Sequence, residues 1–201
     1  MRVHGAARST VVLVAGLLLT SARTDAGDRQ IRPFIGATFG GGTTFVPNNA
    51  VGKANPALGA SAVLLGEVFG AEVDVADAPG FFEPDEKGLV FGSRVTTISG
   101  NVVVAAPHRL TEYSLRPYFV GGAGLMRVRT TTQFHVFDVS SVIPMLDVGV
   151  GAVGFLTNQF GVSWDLRRFQ SVGSNSGSGG LSFGPEHLSF WRATMAVAIR
   201  Y

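Results

Sequence analysis

The last eleven residues keep a strict two-residue period. Trp191, Ala193, Met195, Val197, Ile199 and Tyr201 alternate with Arg192, Thr194, Ala196, Ala198 and Arg200. A strand sends successive side chains to opposite faces, so one face of this segment is apolar and the other carries two arginines. Trp191 and Tyr201 are ten steps apart. At a rise of ~3.3 Å per residue and a tilt of ~40°, that is roughly 25 Å, the height of the apolar band of a transmembrane barrel, with an aromatic at each border.

The same alternation recurs upstream. Phe69, Ala71, Val73 and Val75 oppose Gly70, Glu72, Asp74 and Ala76. Phe160, Val162, Trp164 and Leu166 oppose Gly161, Ser163, Asp165 and Arg167. Leu146, Val148 and Val150 oppose Asp147, Gly149 and Gly151, and Ile31, Ile35, Ala37 and Phe39 oppose Arg32, Gly36 and Thr38. The pattern predicts eight strands: Ile31–Gly40, Ala57–Leu65, Val68–Asp77, Arg94–Ala105, Leu115–Arg129, Val142–Leu156, Phe160–Val172 and Leu188–Tyr201. Alternation is weak in the second strand and at the ends of the fifth and sixth. The gaps 41–56, 78–93, 130–141 and 173–187 are long, whereas Gly66-Glu67, 106–114 and 157–159 are shorter. Long and short connections at opposite ends are the habit of an up-and-down membrane barrel.

Composition narrows the choice. Apolar residues make up 46%, charged residues 15%, and the mean hydropathy is +0.30. After residue 26 there is no apolar run long enough for a spanning helix. A very buried soluble β-fold or a membrane barrel remains. The chain has no cysteine, which excludes a disulfide scaffold, a thiolate zinc site and a cysteine nucleophile. Residues 1–26 have the form of a secretory signal: Arg2 and Arg8, then the apolar run Val11–Leu19, then small residues that place cleavage after Ala22 or Ala26. The domain proper is 27–201. Removing Arg2, Arg8, Arg23 and Asp25 takes the counts from 16 basic and 14 acidic residues to 13 and 13. A near-neutral mature chain gives no case for nucleic acid.

The face opposite the apolar one combines charges with many glycines. An eight-stranded barrel has a narrow interior that side chains must fill. The expectation is therefore an apolar exterior and a plugged polar lumen. In that lumen Glu72, Asp74, Asp147 and Asp165 would pair with Arg167, Arg192 and Arg200 as a structural network. Phe160, Trp191 and Tyr201 would serve as interfacial anchors. The runner-up is a soluble periplasmic ligand-binding barrel with the apolar face inside.

Several stretches carry a family resemblance. They are Gly70-Ala71-Glu72-Val73-Asp74-Val75 running into Pro79-Gly80-Phe81-Phe82, Asn101–Pro107, Pro117–Gly124, and Gly149–Gly161 leading into Asp165-Leu166-Arg167. In this order they resemble the small outer-membrane barrels, the OmpA/OmpX-like eight-stranded family. The resemblance implies an all-β transmembrane barrel of the Gram-negative envelope, in contact with outer-membrane lipid and lipopolysaccharide, and it carries no catalytic site. The final Tyr201 resembles the C-terminal aromatic signal that the barrel-assembly machinery reads. A monomer without cofactor is expected.

The chain shows few patterns that carry catalytic or metal chemistry. His4, His108, His135 and His187 are scattered, so no pair has metal-ligand spacing. His187 and Ser189 are two apart, as in the outer-membrane lipid A deacylases. A serine nucleophile needs a base and a third group to orient it. Nothing acidic follows Glu186, and Phe190-Trp191 departs from that family's pattern. Glycine strings such as Gly40-Gly41-Gly42 and Gly121-Gly122 precede no helix and are not dinucleotide sites. Lys53, Lys87, Arg94, Arg127 and Arg129, in or beside the loops, are candidates for contact with anionic lipopolysaccharide or ordinary solvated charges.

Overall fold

The alternating segments pair in chain order and the last returns to the first. In the computed structural model the strands are β1 (Asp28–Thr43), β2 (Asn55–Leu65), β3 (Phe69–Pro79), β4 (Val90–Ala105), β5 (Leu115–Thr132), β6 (Val139–Phe155), β7 (Phe160–Ser171) and β8 (Leu188–Arg200). They form one closed antiparallel barrel. Residues 27–43, 54–81, 90–107, 111, 115–132, 139–172 and 188–201 are described; residues 1–26, expected to be a signal segment, lie outside them. Closure runs from Gln30 opposite Arg200 to Thr43 opposite Leu188. A register shift between Phe39 and Gly42 bulges β1 there, and Gly40 takes a φ of 59°, a conformation that suits glycine.

Strand ends on the short-turn side fall at or within a few residues of the expected positions. On the long-connection side several strands run further than expected. The β5–β6 hairpin, for example, stays paired up to Thr130 opposite Val139. Its connection shrinks to 133–138, shorter than 106–114 at the other end. The extension has a physical reason. Beyond Leu125 the polarity of the faces inverts: Met126 and Val128 are buried, while Arg127 and Arg129 are exposed. Alternation continues there, but with the opposite sense.

The apolar face lies outside. Ile35, Phe119 and Val148 are 65%, 68% and 63% exposed, and every strand contributes outward apolar residues. This arrangement overturns the soluble barrel with an apolar interior. Inside, three levels succeed one another. Val63, Leu65, Val103, Ala105, Tyr118, Val120, Val153 and Ala198 pack together near the short turns. Ala57, Ala78, Phe81, Val95, Met126, Val128, Ile143, Met145, Phe169, Leu188 and Phe190 pack together near the long connections. Charged residues occupy the level between. In the upper level Phe190 stacks on Phe169 and meets Phe81 edge-on, both at 5.0 Å between ring centroids.

The interior is tight enough to demand glycine. A Cβ on Gly151 would fall against the Tyr118 ring and the Trp164 carbonyl, whereas one on the outward Gly100 would meet nothing within 4 Å. Gly151→Val is expected to cost about 1–3 kcal/mol by overpacking, and Gly100→Ala close to nothing. Urea unfolding in detergent micelles, followed by tryptophan fluorescence, checks this. Equal losses in the two variants would mean that the interior is looser than described.

Candidate functional site

The central level is organised around Arg167. It reaches inward from β7, opposite Gly149 of β6, where any side chain would collide with it. Its Nε donates to Asp165 Oδ1 at 2.6 Å and its Nη2 to Asp165 Oδ2 at 2.9 Å, a two-point contact between residues on the same face of one strand. Nη2 also reaches Glu72 Oε1 across the lumen at 2.8 Å, and Nη1 lies 3.8 Å from Asp147 Oδ2. Asn101 fits between them. With its amide oriented by its neighbours, Nδ2 donates to Asp147 Oδ1 at 3.1 Å and Oδ1 accepts from Arg167 Nη1 at 2.9 Å. Tyr118 Oη donates to Asp165 Oδ2 at 3.0 Å. The fork of a guanidinium suits such a multi-carboxylate site better than an ammonium does.

A second pair lies beside the first. Arg192 Nη2 contacts Asp74 Oδ1 at 2.8 Å, with both side chains almost fully buried. Its guanidinium lies over the Phe34 ring at 5.0 Å and the Phe169 ring at 4.6 Å, so it also joins the charged level to the upper apolar one. Arg32 donates from Nε to Gln30 Oε1 at 2.8 Å and lies 5.3 Å from the centroid of the Tyr118 ring. A cavity of about 10 Å³, the room that one water needs, is bordered by Arg32, Asp74, Tyr118 and Arg167.

Arg200 departs from the expected network. It shares the inward face of β8, but at the short-turn mouth. There it makes a two-point contact with Asp28, at 2.5 and 2.7 Å, and lies over the Phe155 ring at 3.7 Å. Depth separates it from Glu72, Asp74, Asp147 and Asp165, not orientation. The expected network also left out Asn101, Tyr118 and Arg32, the last of which the alternation had put on the polar face of β1; all three line the same face as the expected charges. It passed over Arg116 too. This buried residue holds two turns together across the barrel floor: its Nε donates to the Ala106 carbonyl at 2.8 Å, and its Nη2 to the Gly66 and Glu67 carbonyls at 2.9 and 2.6 Å.

The outer wall places the three expected aromatic anchors at its borders. Phe160 and Tyr201 are exposed on the short-turn side. Trp191 lies at the other border, opposite Phe39, with the Arg168 guanidinium 5.7 Å from its ring centroid. Ser189 is half-buried opposite Gln170, while Glu186 and His187 lie outside the described residues. Arg94, Arg127 and Arg129 are outward residues of β4 and β5 rather than loop residues, and Lys53 and Lys87 lie outside the described residues. Among the described residues no group of histidine and carboxylate side chains could hold a metal ion.

A closed eight-stranded barrel with an apolar outer wall and a charged interior has the architecture of the small outer-membrane barrels. Solved structures agree. Neisserial surface protein A superposes with a TM-score of 0.63 at 11% identity, covering 86% of this chain and 97% of that one. The attachment invasion locus protein Ail of Yersinia pestis, in complex with the heparin analogue sucrose octasulfate, gives 0.53 at 13%, covering 87% and 99%. The N-terminal barrel domain of Pseudomonas aeruginosa OprF gives 0.51 at 14%, covering 88% and 98%. At these identities the likeness is one of fold. No protein-family model matches the chain, and no curated protein sequence does.

Removing one partner of a buried ion pair strands the other, at a cost of about 3–5 kcal/mol. Arg167→Met strands several acids at once and is expected to reach or exceed that range. Arg200→Met, at a mouth where the arginine side chain is 33% exposed, should cost about 1 kcal/mol or less. Unfolding midpoints of the two variants in the same micelles test the ranking. If they are equally destabilised, the central level is not the stabilising one.

Proposed function

We propose that this chain is an integral protein of the Gram-negative outer membrane, exported by a cleaved signal in residues 1–26 and inserted as a monomeric barrel. The observation that carries this reading is the outward apolar wall on a fully closed ladder. In hydrocarbon every backbone polar group must be satisfied within the protein, and a closed barrel does so without an edge. The same wall in water would be a large exposed apolar patch. The final strand, ending at Tyr201, is the segment offered to the assembly machinery.

The role is structural or one of surface interaction, not catalysis. Four connections, at 44–54, 80–89, 133–138 and 172–187, leave one end of the barrel. That end faces outside, and the short turns face the periplasm. The lumen is plugged. Two apolar layers cap a charged layer whose side chains are tied to one another, which leaves no continuous aqueous path for a porin-like function.

Heat-modifiability tests the placement. The mature protein, folded in detergent, should migrate differently before and after boiling on a denaturing gel, and its circular dichroism should be β-rich. A chain that stays soluble without detergent and shows no shift would refute the membrane reading. In planar bilayers the wild type is expected to show no conductance steps. Steps of steady size in the wild type would overturn the plugged lumen while leaving the membrane placement intact.

A further inference from the structure

The outer wall changes character in one step on β4 and β5. Reading outward residues across β3, β4, β5 and β6, one row is Val73, Gly100, Ala123 and Leu146. The next is Val75, Ile98, Leu125 and Pro144. Above it comes Asp77, Thr96, Arg127 and Val142, and then Pro79, Arg94 and Arg129. Three arginines thus stand on two adjacent strands directly above the last fully apolar row. Arg94 and Arg129 are direct cross-strand partners, and Arg127 follows two residues before Arg129 on the same face.

Like charges placed directly opposite each other on a sheet disfavour pairing. The one outward carboxylate in these rows is Asp77. It takes the Arg94 Nε at 3.0 Å and also accepts from Thr96 Oγ1 at 2.9 Å. Three guanidiniums are thus gathered within two adjacent rows of the outer face. At the short-turn border of the same strands the outward residues are Phe69, Val104, Phe119 and Leu115, with no arginine among those described. The asymmetry places the charge at the border on the long-connection side. Guanidiniums are suited to phosphate because their paired N–H groups match two of its oxygens.

We infer that Arg94, Arg127 and Arg129 form a binding site for the phosphate groups of a phosphorylated glycolipid in the outer leaflet, its acyl chains lying against the apolar rows below. This inference rests on the proposed membrane placement. It adds a defined headgroup site on one side of the wall.

The test uses the full mature chain in maltoside micelles, titrated with purified lipopolysaccharide and with the same glycolipid stripped of its phosphates. Arg94→Gln/Arg127→Gln/Arg129→Gln is expected to weaken binding of the phosphorylated form on the order of 100-fold. Arg127→Gln and Arg129→Gln, each of which leaves the Arg94–Asp77 pair in place, should each weaken it about fivefold and guard against a triple variant that does not fold. Arg168→Gln, on β7 and separated from the patch by β6, should bind as the wild type does. The stripped glycolipid should bind the wild type as weakly as the phosphorylated form binds the triple variant. Equal binding by the wild type and a heat-modifiable triple variant would overturn the site alone. So would equal affinity for the two glycolipids, or displacement by millimolar inorganic phosphate, which would indicate a free-anion site. A wild type without heat-modifiability would overturn the membrane placement, and the site with it.

Discussion

Backbone hydrogen bonding sets the terms for everything else in this molecule. A peptide group without a partner is costly wherever water is absent. The pairing of β1 with β8 removes the two edges that eight consecutive strands would leave open. With only eight strands, the enclosed space is narrow. The inward residues must therefore be small, or charged and mutually neutralised, or apolar and interlocked. All three solutions are present. Glycines such as Gly149 and Gly151 make room, Arg167 and Arg192 neutralise acids, and Phe81, Phe169 and Phe190 interlock.

The layering follows from that narrowness. A charged group inside a low-dielectric wall is tolerated only when it is paired and its remaining hydrogen-bonding positions are used. Arg167 meets the requirement through Asp165, Glu72 and Asn101, with Asp147 close by. Arg192 meets it in part through Asp74 and in part by lying between aromatic rings. Where no charge is present, buried apolar side chains pack together above and below the charged middle.

Much of this was legible in the sequence because strand alternation reports orientation directly. In β3, β7 and β8 each expected face is the observed one. The exceptions share a cause. β2 alternates weakly because its inward Val63 and Leu65 belong to the lower apolar layer. The ends of β5 and β6 are obscure because Met126, Val128, Ile143 and Met145 belong to the upper one. Alternation gives the side of the wall but not the height along it. Arg200 was therefore assigned to the right face and the wrong level. Its actual partner, Asp28, lies before the expected start of the first strand. Asn101 and Tyr118 carry no charge and gave no signal until the cross-lumen register placed them beside Asp147 and Asp165.

The cross-lumen contacts also tie early strands to the last hairpin. Arg167 meets Glu72 over a separation of 95 residues, Arg192 meets Asp74 over 118, and Arg200 meets Asp28 over 172. Each acid lies in an early strand and each arginine in the final hairpin. A chain with only β1 to β6 in place holds Glu72 and Asp74 without these counter-charges, besides two open sheet edges. Neutralisation and edge removal then arrive together with the last two strands. Partly wound barrels gain little from either, so closure of the barrel is expected to be cooperative, with the β7–β8 hairpin as its latch.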